Sequence, residues 1–109
     1  MIIYTNLIPS KFNGMTAWPF IFIRKSSRYD KGLLVHEMVH YNEQRKAYVI
    51  PWLLKYIFSK KFRLEAEVRA YKVQIYQKGI SLHSAARMLM NYRVDVTFDD
   101  AVAMLVSNQ

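Results

Sequence analysis

The sequence predicts an α+β fold: a small N-terminal β layer, including an edge strand, followed by a helical core. Short runs of β-branched and aromatic residues occur in the first 23 residues. Downstream, apolar residues recur at helical spacing, and proline, glycine and capping residues separate the segments. Hydrophobic residues make up 52% of the 109-residue chain, which argues against disorder and is enough for one modest core. We therefore expect one domain over residues 1–109.

The predicted β layer has one short and one well-defined strand. Residues 2–4 form a short β-prone run, and residues 9–14 have the proline, serine and glycine content of a loop and turn. Residues 20–23 are the clearest strand, because they are apolar and β-branched or aromatic throughout. A polar connection over residues 24–32 follows, in which Asp30 is suited to cap the next helix.

Five helices are expected, and the second has an ambiguous character. They are predicted over residues 31–48, 51–58, 59–78, 81–91 and 99–107, with Gly79 ending the third and Ser81 capping the fourth. The density of aromatic residues in 51–58 suits a core lid, a wall for an apolar substrate or an interfacial anchor. We take core burial as the default, since membrane contact requires a clearer polar face.

The centre of the sequence is His36-Glu37-Met38-Val39-His40, an H-E-x-x-H pattern. On a helix, the four-residue spacing places both imidazoles on one face, one turn apart, so that they can bind one ion. Glu37 lies close enough to take a proton from a water on that ion without being a ligand. The pattern therefore predicts two zinc ligands and a general base.

A catalytic zinc site needs a third protein ligand, for which the candidates are Glu43, Glu65, Glu67 and His83. Because one helix rarely wraps three ligands around an ion, Glu43 is expected to support the site or face the substrate. His83 follows a helix break and is expected to be an ordinary surface or core histidine.

Glu65 and Glu67 point about 160° apart on one helix, so only one of them can face the metal. Glu65 can form an i,i+4 ion pair with Arg69. Glu67 shares its face with the small Ala70, Tyr71 and Gln74, and an apolar stripe beside that face would pack the helix inward. Glu67 is therefore our predicted third ligand for one Zn²⁺ per chain.

The HExxH pattern, followed by Glu67-Val68-Arg69-Ala70-Tyr71, resembles the zincin metallopeptidases of the gluzincin type, and especially the minimal forms of bacteria and their phages. The resemblance covers residues 18–78. It implies hydrolysis of a peptide or protein substrate, an edge strand at residues 20–23, and a Glu ligand on a second helix. Tyr71 stands where many relatives have Asp or Asn to steady a ligand histidine. Tyr71, Tyr41 and His83 are candidates for stabilising the oxyanion.

Two alternatives to a peptidase stay open, and the second of them arises from the overall charge of +8. One is a zincin-like protein that binds metal without turnover, favoured by the shortness of the chain. The other is a basic nucleic-acid- or membrane-binding module, although the dispersed basic residues favour a solvated surface over specific nucleic-acid binding. No apolar run has the length of a membrane span. The absence of cysteine and of a signal peptide leads us to expect a cytoplasmic location.

Overall fold

The computed structural model describes residues 1–107 and confirms the α+β class, with an N-terminal sheet followed by helices. The strands are β1 (Ile2–Tyr4), β2 (Gly14–Ala17) and β3 (Phe20–Ile23). The helices are α1 (Lys31–Ala47), α2 (Val49–Phe58), α3 (Lys60–Tyr76), α4 (Leu82–Leu89) and α5 (Phe98–Val106). Short 3-10 turns cover Lys25–Ser27 and Met90–Tyr92.

The strand order in the sheet is β1-β3-β2, so the predicted edge strand is in fact the central one. β3 pairs in parallel with β1 and antiparallel with β2. Ile21 and Ile23 are buried on one face of β3, and Phe20 and Phe22 are partly buried on the other, which accounts for its uniformly apolar sequence. The edge strand beside the HExxH helix is β2, whose Gly14 was expected to close a loop. Gly14 and Ala17 have little β-propensity of their own, and pairing with β3 compensates for this.

Most of the helices begin at capping side chains, of which Asp30 and Ser81 were predicted, whereas α2 begins at Val49, before the predicted Pro51, without a side-chain cap. Asp30, Ser59 and Ser81 each accept a hydrogen bond from the backbone amide three residues later. Thr97 and Asp100 form a reciprocal capping box at the start of α5. Such caps contribute about 1 kcal/mol each, so they define helix starts locally and can be read from the sequence.

The end of α3 differs from the prediction in the residue that carries the left-handed conformation. Lys78 has a φ of 59°, and Gly79 does not have a positive φ. Glycine at position 79 serves close packing instead, since a Cβ there would lie 2.5 Å from Gly32 Cα. This backbone contact brings the start of α1 against the end of α3, and the two helices lie side by side.

The apolar interior is divided between a main core and the surroundings of α1. The main core consists of buried residues from α3, α4 and α5: Tyr71, Ala85, Ala86, Leu89, Ala101 and Leu105. Helix α1 packs against β2 on one side and against α3 on the other. The polar face of α1 therefore lies between the sheet and α3.

Helix α2 is only half buried, so the expectation of core burial is wrong for one of its faces. Trp52 is 5% exposed, whereas Ile50, Leu54, Ile57 and Phe58 are 64%, 51%, 60% and 82% exposed. No helix within residues 1–107 is both long enough and apolar enough to cross a membrane.

Candidate metal centre

Two helices bring His36, His40 and Glu67 together in the interior. His36 Nε2 lies 2.9 Å from Glu67 Oε1, and His40 Nε2 lies 3.0 Å from Glu67 Oε2. All three side chains are at most 5% exposed, and one ligand atom from each lies within 4.8 Å of the others. A buried group of two imidazoles and one carboxylate can hold a metal ion.

The arrangement follows from the register of the two helices. His36 and His40 are one turn apart on α1, and Glu67 faces them from α3. Glu65 is exposed on the other side of α3, as the angular argument from the sequence requires. Ala66 and Ala70 are completely buried beside Glu67, and their small side chains allow α3 to approach α1 closely.

Two polar side chains support these residues. Gln74 Oε1 lies 3.0 Å from His36 Nδ1, which orients the ring and leaves Nε2 directed at Glu67. Tyr56 on α2 donates a hydrogen bond of 2.6 Å to Glu67 Oε2. Gln74 gives His36 the polar support that the zincin resemblance led us to associate with position 71, where this chain has Tyr. The sequence placed Gln74 on the same helix face as Glu67 but gave no sign of the role of Tyr56.

The buried charges shift the pKa values of the site in opposite directions. Burial alone would lower the pKa of His40, but the Glu67 carboxylate more than offsets this and raises it to about 9. Burial works to raise the pKa of Glu67, yet the two histidines hold it well below its usual range. Burial and the nearby Glu67 both raise the pKa of Tyr56, so its hydroxyl remains a donor. Without a metal, the site is held together by an imidazolium–carboxylate interaction.

The donor atoms fit a metal ion better than they fit one another. When His36 Nδ1 donates to Gln74, its Nε2 is a hydrogen-bond acceptor unless the ring is protonated, and it faces a carboxylate oxygen. Neither ring nitrogen of buried His40 makes a hydrogen bond of good geometry, although its Nε2 lies 3.0 Å from Glu67 Oε2. Ligand atoms on a tetrahedral zinc ion stand about 3.3 Å apart, close to the 2.9 and 3.0 Å between the nitrogens and Glu67. Two histidines and a glutamate are also a donor set of catalytic zinc sites.

Glu37 is buried beside the metal-binding group but is not part of it. Its Oε1 accepts a hydrogen bond of 2.8 Å from Thr16 on β2. A Cβ at Gly14 would lie 3.2 Å from Oε2, so glycine at this position leaves space beside the second oxygen. The edge strand therefore orients the proposed base. This role of Thr16 could not be predicted from the sequence, because the contact spans 21 residues.

A pocket of about 560 Å³ opens onto this group. Glu37, His40 and Glu67 contribute its polar floor, and Trp52 and Tyr92 contribute to its largely apolar wall. The volume lies within the range of ordinary ligand sites, about 300–1,000 Å³. The chain thus has room for a substrate segment next to the candidate metal centre despite its length.

The remaining candidates lie around this site or away from it. Glu43 accepts hydrogen bonds from Trp52 Nε1 and from Arg69, so it supports the wall of the pocket and does not line it. The expected Glu65–Arg69 ion pair is wrong, because Arg69 binds the half-buried Glu43 with two nitrogen donors, a stronger arrangement than an exposed i,i+4 pair.

None of the three predicted oxyanion contacts lines the pocket. The Tyr71 ring packs edge-on against His36, with centroids 4.2 Å apart, and its hydroxyl lies 3.2 Å from that of Tyr92. Tyr41 packs near Trp18. His83 is exposed on α4 and packs against Phe98. The hydroxyl-bearing side chains in the pocket lining are Thr16, Tyr56 and Tyr92.

Compared with protein-family models, curated proteins and solved structures, the chain shows no match. The functional argument therefore rests on the residues and geometry described above.

Proposed function

We propose that the protein is a zinc-dependent metallopeptidase in which His36, His40 and Glu67 hold one Zn²⁺ ion and Glu37 is the general base. A zinc ion bound there would polarise the scissile carbonyl and lower the pKa of a coordinated water to about 7. The observation that carries the proposal is the position of Glu37: a buried carboxylate, held by Thr16, that lies beside the ligand group and opens onto the same pocket.

In the proposed amide hydrolysis, the side chains in and around the pocket have different roles. Glu37 takes the proton of the attacking water and delivers it to the leaving amine, with Thr16 fixing the orientation of its carboxylate. Tyr56 holds Glu67 in place. Tyr92 is part of the pocket lining, and its hydroxyl lies 3.2 Å from that of Tyr71. Burial raises the pKa of Tyr92 well above its usual value, so the hydroxyl keeps its proton and is our candidate hydrogen-bond donor to a developing oxyanion.

The alternative is a metal-binding protein without turnover, which would bind zinc but cleave no peptide. The pocket beside Glu37 favours the enzyme, since a purely structural site needs neither an open cavity nor an oriented carboxylate outside the ligand set.

The test compares zinc content and peptide hydrolysis in the wild type, Glu37→Gln and Glu65→Gln. Glu37→Gln should keep stoichiometric zinc and lose about 10²–10⁴-fold in hydrolysis of a mixed peptide library, the usual contribution of a general base. Glu65→Gln changes an exposed glutamate and should match the wild type. A zinc-loaded wild type that cleaves no peptide would favour the non-catalytic alternative. Loss of zinc in Glu37→Gln would make Glu37 a ligand and contradict the assignment.

A further inference from the structure

Helix α2 is apolar on two opposite sides, and only one of them is used within the fold. Trp52 packs against the ring of His40, with centroids 5.6 Å apart, and Tyr56 bonds to Glu67. The other side carries the four exposed apolar residues Ile50, Leu54, Ile57 and Phe58, which we call the α2 face. At about 100° per residue these four side chains span an arc of about 100°, centred opposite the buried aromatics. A contiguous apolar stripe of this kind on a helix marks an interaction surface.

Basic residues predominate in the part of the chain that carries the α2 face. Residues 44–64 contain six basic residues and no Asp or Glu, in a chain whose net charge is +8. Four of the six are exposed side chains on α2 or on the helix turns directly before and after it: Arg45, Lys46, Lys55 and Lys61. Lys60 pairs with Asp95, and Arg63 donates to backbone carbonyls at the end of α2 and around residue 92. An apolar stripe flanked in the chain by cations complements a surface that has an anionic outer layer over an apolar interior.

We propose that the α2 face docks the protein onto anionic lipid bilayers, with the helix lying in the plane of the interface. The apolar stripe would enter the boundary between headgroups and acyl chains, and the flanking lysines would contact lipid phosphates. The helix has 10 residues and is about 15 Å long, half the thickness of a hydrocarbon core, so it can lie on a membrane but cannot span one.

A second copy of the chain fits this face less well than a bilayer does. A symmetric dimer through α2 would place the same basic residues opposite each other, and like charges across an interface are unfavourable. A lipid surface instead supplies the opposite charge along the whole border of the stripe.

Docking would also orient the pocket described above. Leu53 and Ile57 on α2 are part of its lining, and Ile57 belongs to the α2 face as well. The pocket mouth would therefore lie next to the lipid surface, where it meets segments of membrane-associated proteins. The docking itself does not depend on metal binding or hydrolysis.

The test measures co-sedimentation of the full chain with phosphatidylglycerol vesicles and with phosphatidylcholine vesicles. Wild type should bind the anionic vesicles, and the binding should weaken as salt is raised. The double variant Leu54→Ser/Phe58→Ser should bind about tenfold more weakly or worse, since it removes two inserted apolar groups. Lys55→Gln/Lys61→Gln should lose about tenfold or more through the electrostatic part. All four positions are exposed, so thermal unfolding should be almost unchanged.

Matched controls lie elsewhere on the surface. Leu7→Ser/Tyr76→Ser removes two apolar side chains that are 93% and 86% exposed, and Lys25→Gln/Lys31→Gln removes two exposed lysines near the start of α1. Both controls, together with Glu37→Gln, should bind vesicles like the wild type.

Three results would overturn the proposal. The first is absence of wild-type binding to phosphatidylglycerol vesicles, and the second is equal loss of binding in the α2 variants and their controls. The third is a dimer in light scattering that dissociates in Leu54→Ser/Phe58→Ser without any vesicle binding, which would assign the α2 face to a second copy.

Discussion

Replacing Gln74 tests whether the buried polar cluster is built around a metal ligand. Gln74 Oε1 is 3.0 Å from His36 Nδ1, and the two side chains are 5% and 2% exposed. In Gln74→Leu the imidazole loses its only oriented partner at Nδ1, and an unsatisfied buried donor costs about 1–3 kcal/mol. Loss of a group that orients a metal-bound histidine typically weakens metal binding about 10–100-fold, which corresponds to about 1.4–2.8 kcal/mol. The expected cost of the unsatisfied donor and the expected loss of zinc affinity are therefore of similar size.

Zinc affinity of Gln74→Leu would be measured by chelator competition beside the matched variant Gln44→Leu. Gln44 is an equally buried amide, but it joins α1 to β2 by accepting from the Trp18 amide and donating to the Thr16 carbonyl. We expect Gln44→Leu to lower the unfolding temperature with little change in zinc affinity, and Gln74→Leu to lower both. Equal zinc affinities in Gln74→Leu and wild type would refute the role of Gln74 as the support of a ligand histidine.

Three further predictions concern the same site. Glu67→Ala should lose far more zinc affinity than the 10–100-fold typical of supporting residues, while Glu65→Ala should leave affinity and stability nearly unchanged; the reverse order would contradict the register of α3. Tyr56→Phe removes the hydrogen bond to Glu67 and should weaken zinc binding by about tenfold in the same chelator assay. An unchanged zinc affinity would contradict the role of Tyr56 in holding Glu67. In the metal-free protein, burial lowers the pKa of His40 but Glu67 raises it overall from 6.5 to about 9. The stabilisation from this charged pair is complete below pH 6.5 and is lost as pH rises through about 9, so the unfolding temperature should fall over that interval. A flat or rising profile would contradict this charge assignment.

Features set by local sequence were accessible to prediction. The predicted caps at Asp30 and Ser81 define helix starts because their hydrogen bonds span only three residues. Ser59, predicted as the first residue of the third helix, is a cap of the same kind. The angle between two positions on one helix showed that only one of Glu65 and Glu67 can face the metal, and the small Ala70 beside Glu67 favoured the residue that does face the histidines. The ion pair expected between Glu65 and Arg69, which also favoured Glu67, was a wrong prediction.

Features set by contacts distant in sequence were not accessible. The strand order depends on pairings between β1 and β3 some 19 residues apart, so the central strand was mistaken for an edge. Arg69 binds Glu43, 26 residues away, instead of its helical neighbour. The composition of α2 gives no means of telling its buried side from its exposed side, because both are apolar. Thr16 and Tyr56 enter the site through such distant contacts as well.

Anomalous scattering from crystals grown with zinc tests the central claim most directly. The account predicts one zinc peak per chain, about 2.0–2.2 Å from His36 Nε2, from His40 Nε2 and from a carboxylate oxygen of Glu67. Glu37 should remain outside this distance and keep its hydrogen bond to Thr16. A fully zinc-supplied crystal with no peak between these three side chains, or with Glu37 directly on the ion, would contradict the account.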